Sequence, residues 1–160
     1  MSCTFQFVAV PYETFAPLFD RTEDELRAIG VSRVVADEKP GFPCRVSLVD
    51  AEVGETVLHL TYTHHDVAGP DRASGPVYVR KGAVTARLPV GEIPKMLRHR
   101  LLSLRAFDAR AALVNSMVVP GTDLEAAIER LLADASVAYL HVHNAAPGCF
   151  NCRVERSSPA

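Results

Sequence analysis

The sequence predicts a single α+β domain built on a curved, mainly antiparallel (mixed) β-sheet with two or three helices. Three observations predict it. Short segments alternate apolar and polar residues with a period of two, two Thr-x-x-Glu boxes mark helix starts, and the spacings between strand segments suit hairpins better than repeated strand–helix–strand units.

The first helix follows from Thr22-Glu23-Asp24-Glu25, where Thr22 and Glu25 can each satisfy a backbone donor, with Leu26 and Ile29 apolar and Gly30 closing the turn. A second box, Thr122-Asp123-Leu124-Glu125, opens a longer helix that places Leu124, Ala127, Ile128, Leu131 and Leu132 on one face. Pro94 suits a first helical position and predicts a short helix through Met96, Leu97 and Leu101.

Strand character runs from Phe5 to Val10, Ser32 to Ala36, Cys44 to Val49, Thr56 to Thr63, Pro76 to Arg80, Leu102 to Asp108, Leu113 to Val119, Val137 to His143 and Phe150 to Glu155. Leu113–Val119, the long helix and Val137–His143 suggest one crossover joining parallel strands. Lys39 to Pro43 and Asp66 to Gly75 are rich in Pro, Gly and polar residues and read as loops. The domain is expected to span 1–156, with a frayed tail at 157–160.

Composition removes several function classes. The chain has 160 residues, 48% hydrophobic and 22% charged, enough apolar content for a packed core. A formal charge of -2 supplies no field that draws a protein onto nucleic acid or an anionic membrane surface. The opening residues lack a basic n-region and no apolar run is long enough to cross a bilayer, so a cytoplasmic protein with reduced Cys3, Cys44, Cys149 and Cys152 is expected. GxGxxG, GxxxxGK[ST], HExxH and GxSxG are all absent, and no cofactor is predicted.

Strand parity locates the candidate chemistry. In Tyr139-Leu140-His141-Val142-His143-Asn144 the apolar Leu140 and Val142 claim the core, which sends Tyr139, His141 and His143 to the opposite face. Arg153 is expected on the histidines' side of the following strand, while Arg45 and Arg105 occupy the polar faces of theirs. If these strands share a sheet, Arg45, Arg105, Arg153, His141 and His143 line one cationic concavity, with Tyr139 and Asn144 beside it, suited to a small carboxylate or phosphate. The simpler reading is that these are solvated faces of amphipathic strands. Cys149 lies six residues after His143 in an expected hairpin, beside Asn144, which makes Cys149 the candidate nucleophile and His143 and His141 candidate bases. The remaining cysteines read as core residues. His59 and His99 carry no specific signal. Cys149-Phe150-Asn151-Cys152 has the gap of zinc and redox motifs but no second pair, and an extended strand sends the two thiols to opposite faces.

The chain also resembles a bacterial family defined as domain of unknown function 1203. The stretches that carry the resemblance are Val34 to Leu48, Gly54 to Leu58, Arg72 to Pro76, Leu101 to Asp108, and Tyr139 to Ala145 with Gly148-Cys149. It implies no activity. His65 stands where similar sequences tend to carry glutamine, and Cys152 is less typical of them than Cys149.

Three readings follow. The first is a domain that binds a small anionic metabolite through the Arg/His face, with chemistry at Cys149. The second is a non-catalytic interaction or structural domain that self-associates, as a homodimer, through an exposed strand edge. The third is a metal-dependent enzyme using His64, His141 and His143, which requires their three nitrogens to converge.

Overall fold

Two antiparallel sheets divide the chain in a computed structural model that describes residues 4–157. The larger sheet is assembled from β1 (Thr4–Val8), β5 (Leu101–Phe107), β6 (Leu113–Pro120), β7 (Tyr139–Asn144) and β8 (Phe150–Ser157), in the order β1-β8-β7-β5-β6. The smaller is β2 (Ser32–Val35), β3 (Thr56–His65) and β4 (Ala73–Arg80), in that order. Helices α1 (Glu23–Ala28) and α2 (Leu124–Leu132) complete a single α+β domain.

Helix α2 forms because its apolar positions recur at helical spacing and are all consumed by one contact. Leu124, Ala127, Ile128, Leu131 and Leu132 are buried in one cluster with Leu102, Leu104, Ala106, Leu140, Val142, Cys152 and Val154 of the large sheet. Each fully buried aliphatic side chain there contributes about 1.5–3 kcal/mol. A second cluster joins Phe15, Leu26, Leu58, Leu60, Val77 and Val79 to Phe150, so β8 touches both cores. Leu26 anchors α1, whose start is the expected capping box: the Glu25 N–H donates to Thr22 Oγ1 and the Thr22 N–H to Glu25 Oε1, both at 3.1 Å.

Several local expectations are corrected. Residues 44–49 are a turn, not a strand: the Leu48 N–H donates to the Cys44 carbonyl at 3.0 Å, the Cys44 N–H to that of Val49, and Leu48 has φ 56°. Thr122 caps nothing, because α2 is preceded by a 3-10 turn at Gly121–Asp123 that is pressed against the Leu97–Arg98 backbone. The helix expected from Pro94 shrinks to a 3-10 turn at Lys95–Leu97, since Leu101 is taken by β5. Strands β6 and β7 do run parallel, but β5 lies between them, so every neighbouring pair is antiparallel. Ser157 pairs with Thr4 at the end of β8 instead of fraying. The rest of the expected tail, 158–160, and Cys3 lie outside the described residues.

Candidate functional site

The expected alternation along β7 holds. Leu140 and Val142 enter the α2 core, and His141 and His143 occupy the other face. Cross-strand register sets Arg105 and Arg153 on either side of His141, and Ser103 beside His143. That face is not solvated: His141 and His143 are each 1% exposed.

What covers it is the end of β3. The β3–β4 register shifts between Tyr62 and His65, and such irregularities re-aim side chains. Both His64 and His65, adjacent in sequence, reach β7: the His64 ring centroid lies 6.0 Å from that of His141 and 5.1 Å from that of His143, and the His65 ring 5.0 Å from His141. Phe150 stacks on His64 at 4.9 Å and 8° and closes another side.

The four imidazoles differ in what occupies their nitrogens. A carbonyl oxygen only accepts, so His65 donates Nδ1–H to the Asp71 carbonyl at 2.7 Å and its Nε2 accepts from the Tyr139 hydroxyl at 2.5 Å. His65 has no lone pair to spare. His143 donates Nδ1–H to the Gly148 carbonyl at 2.9 Å, and its Nε2 makes no hydrogen bond among the described residues. Nδ1 of His64 and Nδ1 of His141 are buried without any hydrogen-bond partner among the described residues.

One ligand nitrogen from each of His64, His141 and His143 lies within 4.8 Å of the others. Ligands on a tetrahedral ion with bonds of 2.0–2.1 Å stand about 3.3 Å apart, a closure within the reach of small ring rotations. Burial first, then the neighbouring charges, holds all three as neutral bases: His141 is pushed down to about 2 by desolvation and by His65, His143, His64 and Arg153. His64 is pushed down to about 4 by desolvation, His65 and Arg105, partly opposed by the Tyr62 backbone. His143 is also pushed down to about 4, by desolvation against the bond to Gly148, with Arg105, His64 and Arg45 adding to it.

The other candidates fall into two groups. Arg105 and Cys149 line a cavity of about 260 Å³ together with His64 and His143. Arg153, in contrast, stacks its guanidinium over the Tyr139 ring at 4.0 Å and pairs with Glu155 at 3.0 Å, on the far side, where a cavity of about 230 Å³ also touches His64 and His141. Tyr139 spends its hydroxyl on His65. Asn144 donates Nδ2–H to Cys149 Sγ at 3.2 Å and is itself oriented by Asn151, whose Nδ2 donates to Asn144 Oδ1 at 2.7 Å. His143 makes its hydrogen bond to Gly148, and none to Cys149 among the described residues. Arg45 sits off the sheet in its turn, reaching Phe150 O from Nε at 2.6 Å and the Pro43 carbonyl from Nη1. Cys152 is fully buried in the α2 core, where burial pushes its thiol up, so it does not pair with Cys149 at a metal or in a disulfide.

A family model described as "Protein of unknown function (DUF1203)" matches residues 41–156. The chain belongs to the DUF1203 family. Neither the curated proteins nor the solved structures offer a match. The span shared with DUF1203 holds His64, His141, His143, Arg45, Arg105 and Cys149, and leaves β1, α1 and β2 outside. No helix of the described residues is long and apolar enough to cross a membrane.

In this DUF1203 domain the three histidines form the set best suited to hold a metal ion. Imidazole nitrogens favour zinc, copper, nickel or iron, and three of them leave a further coordination position for water or substrate. Sequence reasoning brought out His141 and His143 through parity. His64 entered only as a third ligand for a metal, because its approach depends on the β3 irregularity. The roles of Arg100, which forks onto Asp50 at 2.5 and 3.1 Å, and of Tyr78 and His59, stacked at 4.4 Å and 19°, carried no local signal.

Proposed function

We propose that this domain is a metal-dependent enzyme whose metal is held by His64, His141 and His143. The observation that carries the proposal is the convergence of three neutral imidazoles, two of which bury an Nδ1 with no protein partner. A buried ring nitrogen without a hydrogen-bond partner costs about 1–3 kcal/mol, a loss that metal coordination offsets. The Gly148 carbonyl acts as the outer partner that fixes the tautomer and ring orientation of His143. His64 and His143 line a cavity that also contains Arg105, whose guanidinium forms no ion pair or hydrogen bond with the described residues. A metal held by His64, His141 and His143 would supply an activated water, and Arg105 is placed to hold an anionic group of the substrate in the same cavity.

The test is elemental analysis of the purified full chain after incubation with zinc and desalting. About one zinc per chain is expected, with the melting temperature lowered by a chelator and His141→Ala and His143→Ala each losing the metal. Absence of stoichiometric metal, together with melting that ignores the chelator, overturns the proposal.

A second reading, self-association without catalysis, draws on strand β6. It is an edge strand that exposes Leu113, Val114 and Val118, features that favour edge-to-edge pairing. Sedimentation velocity of wild type and Val118→Lys separates the readings: a dimer lost in the variant supports it, and a monomer across concentration removes it.

A further inference from the structure

A cavity of about 500 Å³ lies apart from the three histidines. It opens over Arg45, a residue 1% exposed that no carboxylate of the described residues pairs with. Its main-chain bonds use Nε and Nη1 and go to the carbonyls of Phe150 and Pro43, and its side-chain partner is the Cys149 sulfur. The groups whose charge acts on it are Cys149, Cys44 and Arg100, and burial is the largest influence, drawing its affinity for the proton down. Taking a guanidinium out of water without a counterion costs several kcal/mol. Arg100, on the same cavity, has its charge met by the fork to Asp50. A guanidinium that meets a cysteine sulfur but no carboxylate of the described residues therefore lies at the floor of a concave, mainly apolar space. One wall of it is the planar His59–Tyr78 stack.

We propose that this cavity binds a small monocarboxylate, with the carboxylate on the Arg45 guanidinium and a planar or aliphatic body against Tyr78 and His59. A single guanidinium without a carboxylate partner matches a monoanion better than a dianionic phosphate, and its fork matches the two carboxylate oxygens. Asn144 lines the same space, but its Nδ2 is committed to Cys149. The inference goes beyond the metal proposal and does not depend on it. Pro76, Pro147 and Cys149 line both this cavity and the one at His64 and His143, so the two cavities adjoin.

Calorimetric titration of the full chain with benzoate tests the site, with and without a chelator. Neutral benzamide and dianionic phenyl phosphate serve as comparisons. Saturable benzoate binding unaffected by the chelator is expected, with benzamide at least about tenfold weaker, because the charge pair is desolvated. Arg45→Met should lose benzoate binding. Ala146→Trp, which fills the cavity from the β7–β8 loop and leaves the main-chain bonds of Arg45 in place, should lose it too and covers the case in which the arginine variant does not fold. Equal affinity for benzoate and benzamide, tighter binding of phenyl phosphate, undiminished binding by Ala146→Trp, or no saturable binding would each overturn the assignment. Zinc uptake measured on the same samples reports separately on the histidine centre.

Discussion

His143 donates its Nδ1–H to the carbonyl oxygen of Gly148 across the β7–β8 hairpin at 2.9 Å, so Nε2 is the nitrogen left to bind. Gly148 holds φ +83° with open space around its α-carbon. Gly148→Ala should cost about 1–2 kcal/mol through backbone strain alone. Because the same carbonyl orients His143, zinc affinity should fall about 10–100-fold. Urea unfolding and chelator competition measure the two effects separately, and unchanged zinc affinity would detach Gly148 from the centre.

His65 and Tyr139 make a different prediction. Their bond is structural, so Tyr139→Phe should destabilise the fold by about 1–3 kcal/mol, leaving Nε2 of His65 buried without a donor, while zinc stoichiometry is unchanged. Glutamine can donate to the Asp71 carbonyl and accept from Tyr139, so His65→Gln should cost less than His65→Ala. Thermal melts of the three variants decide it.

Among the described glycines, Gly121 marks the tightest backbone approach. A Cβ added there would overlap the Leu97 carbonyl and sit 2.9 Å from the Arg98 α-carbon, and neither backbone atom can swing aside. Gly121→Ala should lose at least about 3 kcal/mol or fail to fold. Circular dichroism and solubility against wild type report this directly.

Glu55 gives the expected acid response. Burial raises its carboxyl, but hydrogen bonds from Arg80 and from the Glu52 N–H, with the charges of Arg80 and Lys39, outweigh burial and hold it below its ordinary value. A depressed carboxylate contributes its stability above the ordinary value of 4.5 and loses it as pH falls through the folded-state value. Glu55→Gln should therefore be about 1 kcal/mol less stable than wild type at neutral pH, with the difference vanishing in strong acid. Urea midpoints across pH provide the check.

How far these features were legible in the sequence varies with the range of the interaction. The α2 stripe and the Leu140/Val142 parity were readable because each depends only on local period, and the Thr22 box because it closes within one turn. Arg45 was misplaced because residues 44–49 alternate like a strand, while Leu48 folds them back into a turn. The box at Thr122 failed because Gly121 packs against residues remote in sequence. The covering of the histidine face could not be read at all. It depends on how the second sheet meets the first and on the register shift at the end of β3.

A three-histidine metal centre should be visible with cobalt(II), whose visible absorption reports coordination number. Cobalt-loaded wild type should show the intense ligand-field bands of a four- or five-coordinate ion at about one per chain, absent in His64→Ala, His141→Ala and His143→Ala. Weak six-coordinate absorption, equal in wild type and in all three variants, would contradict it.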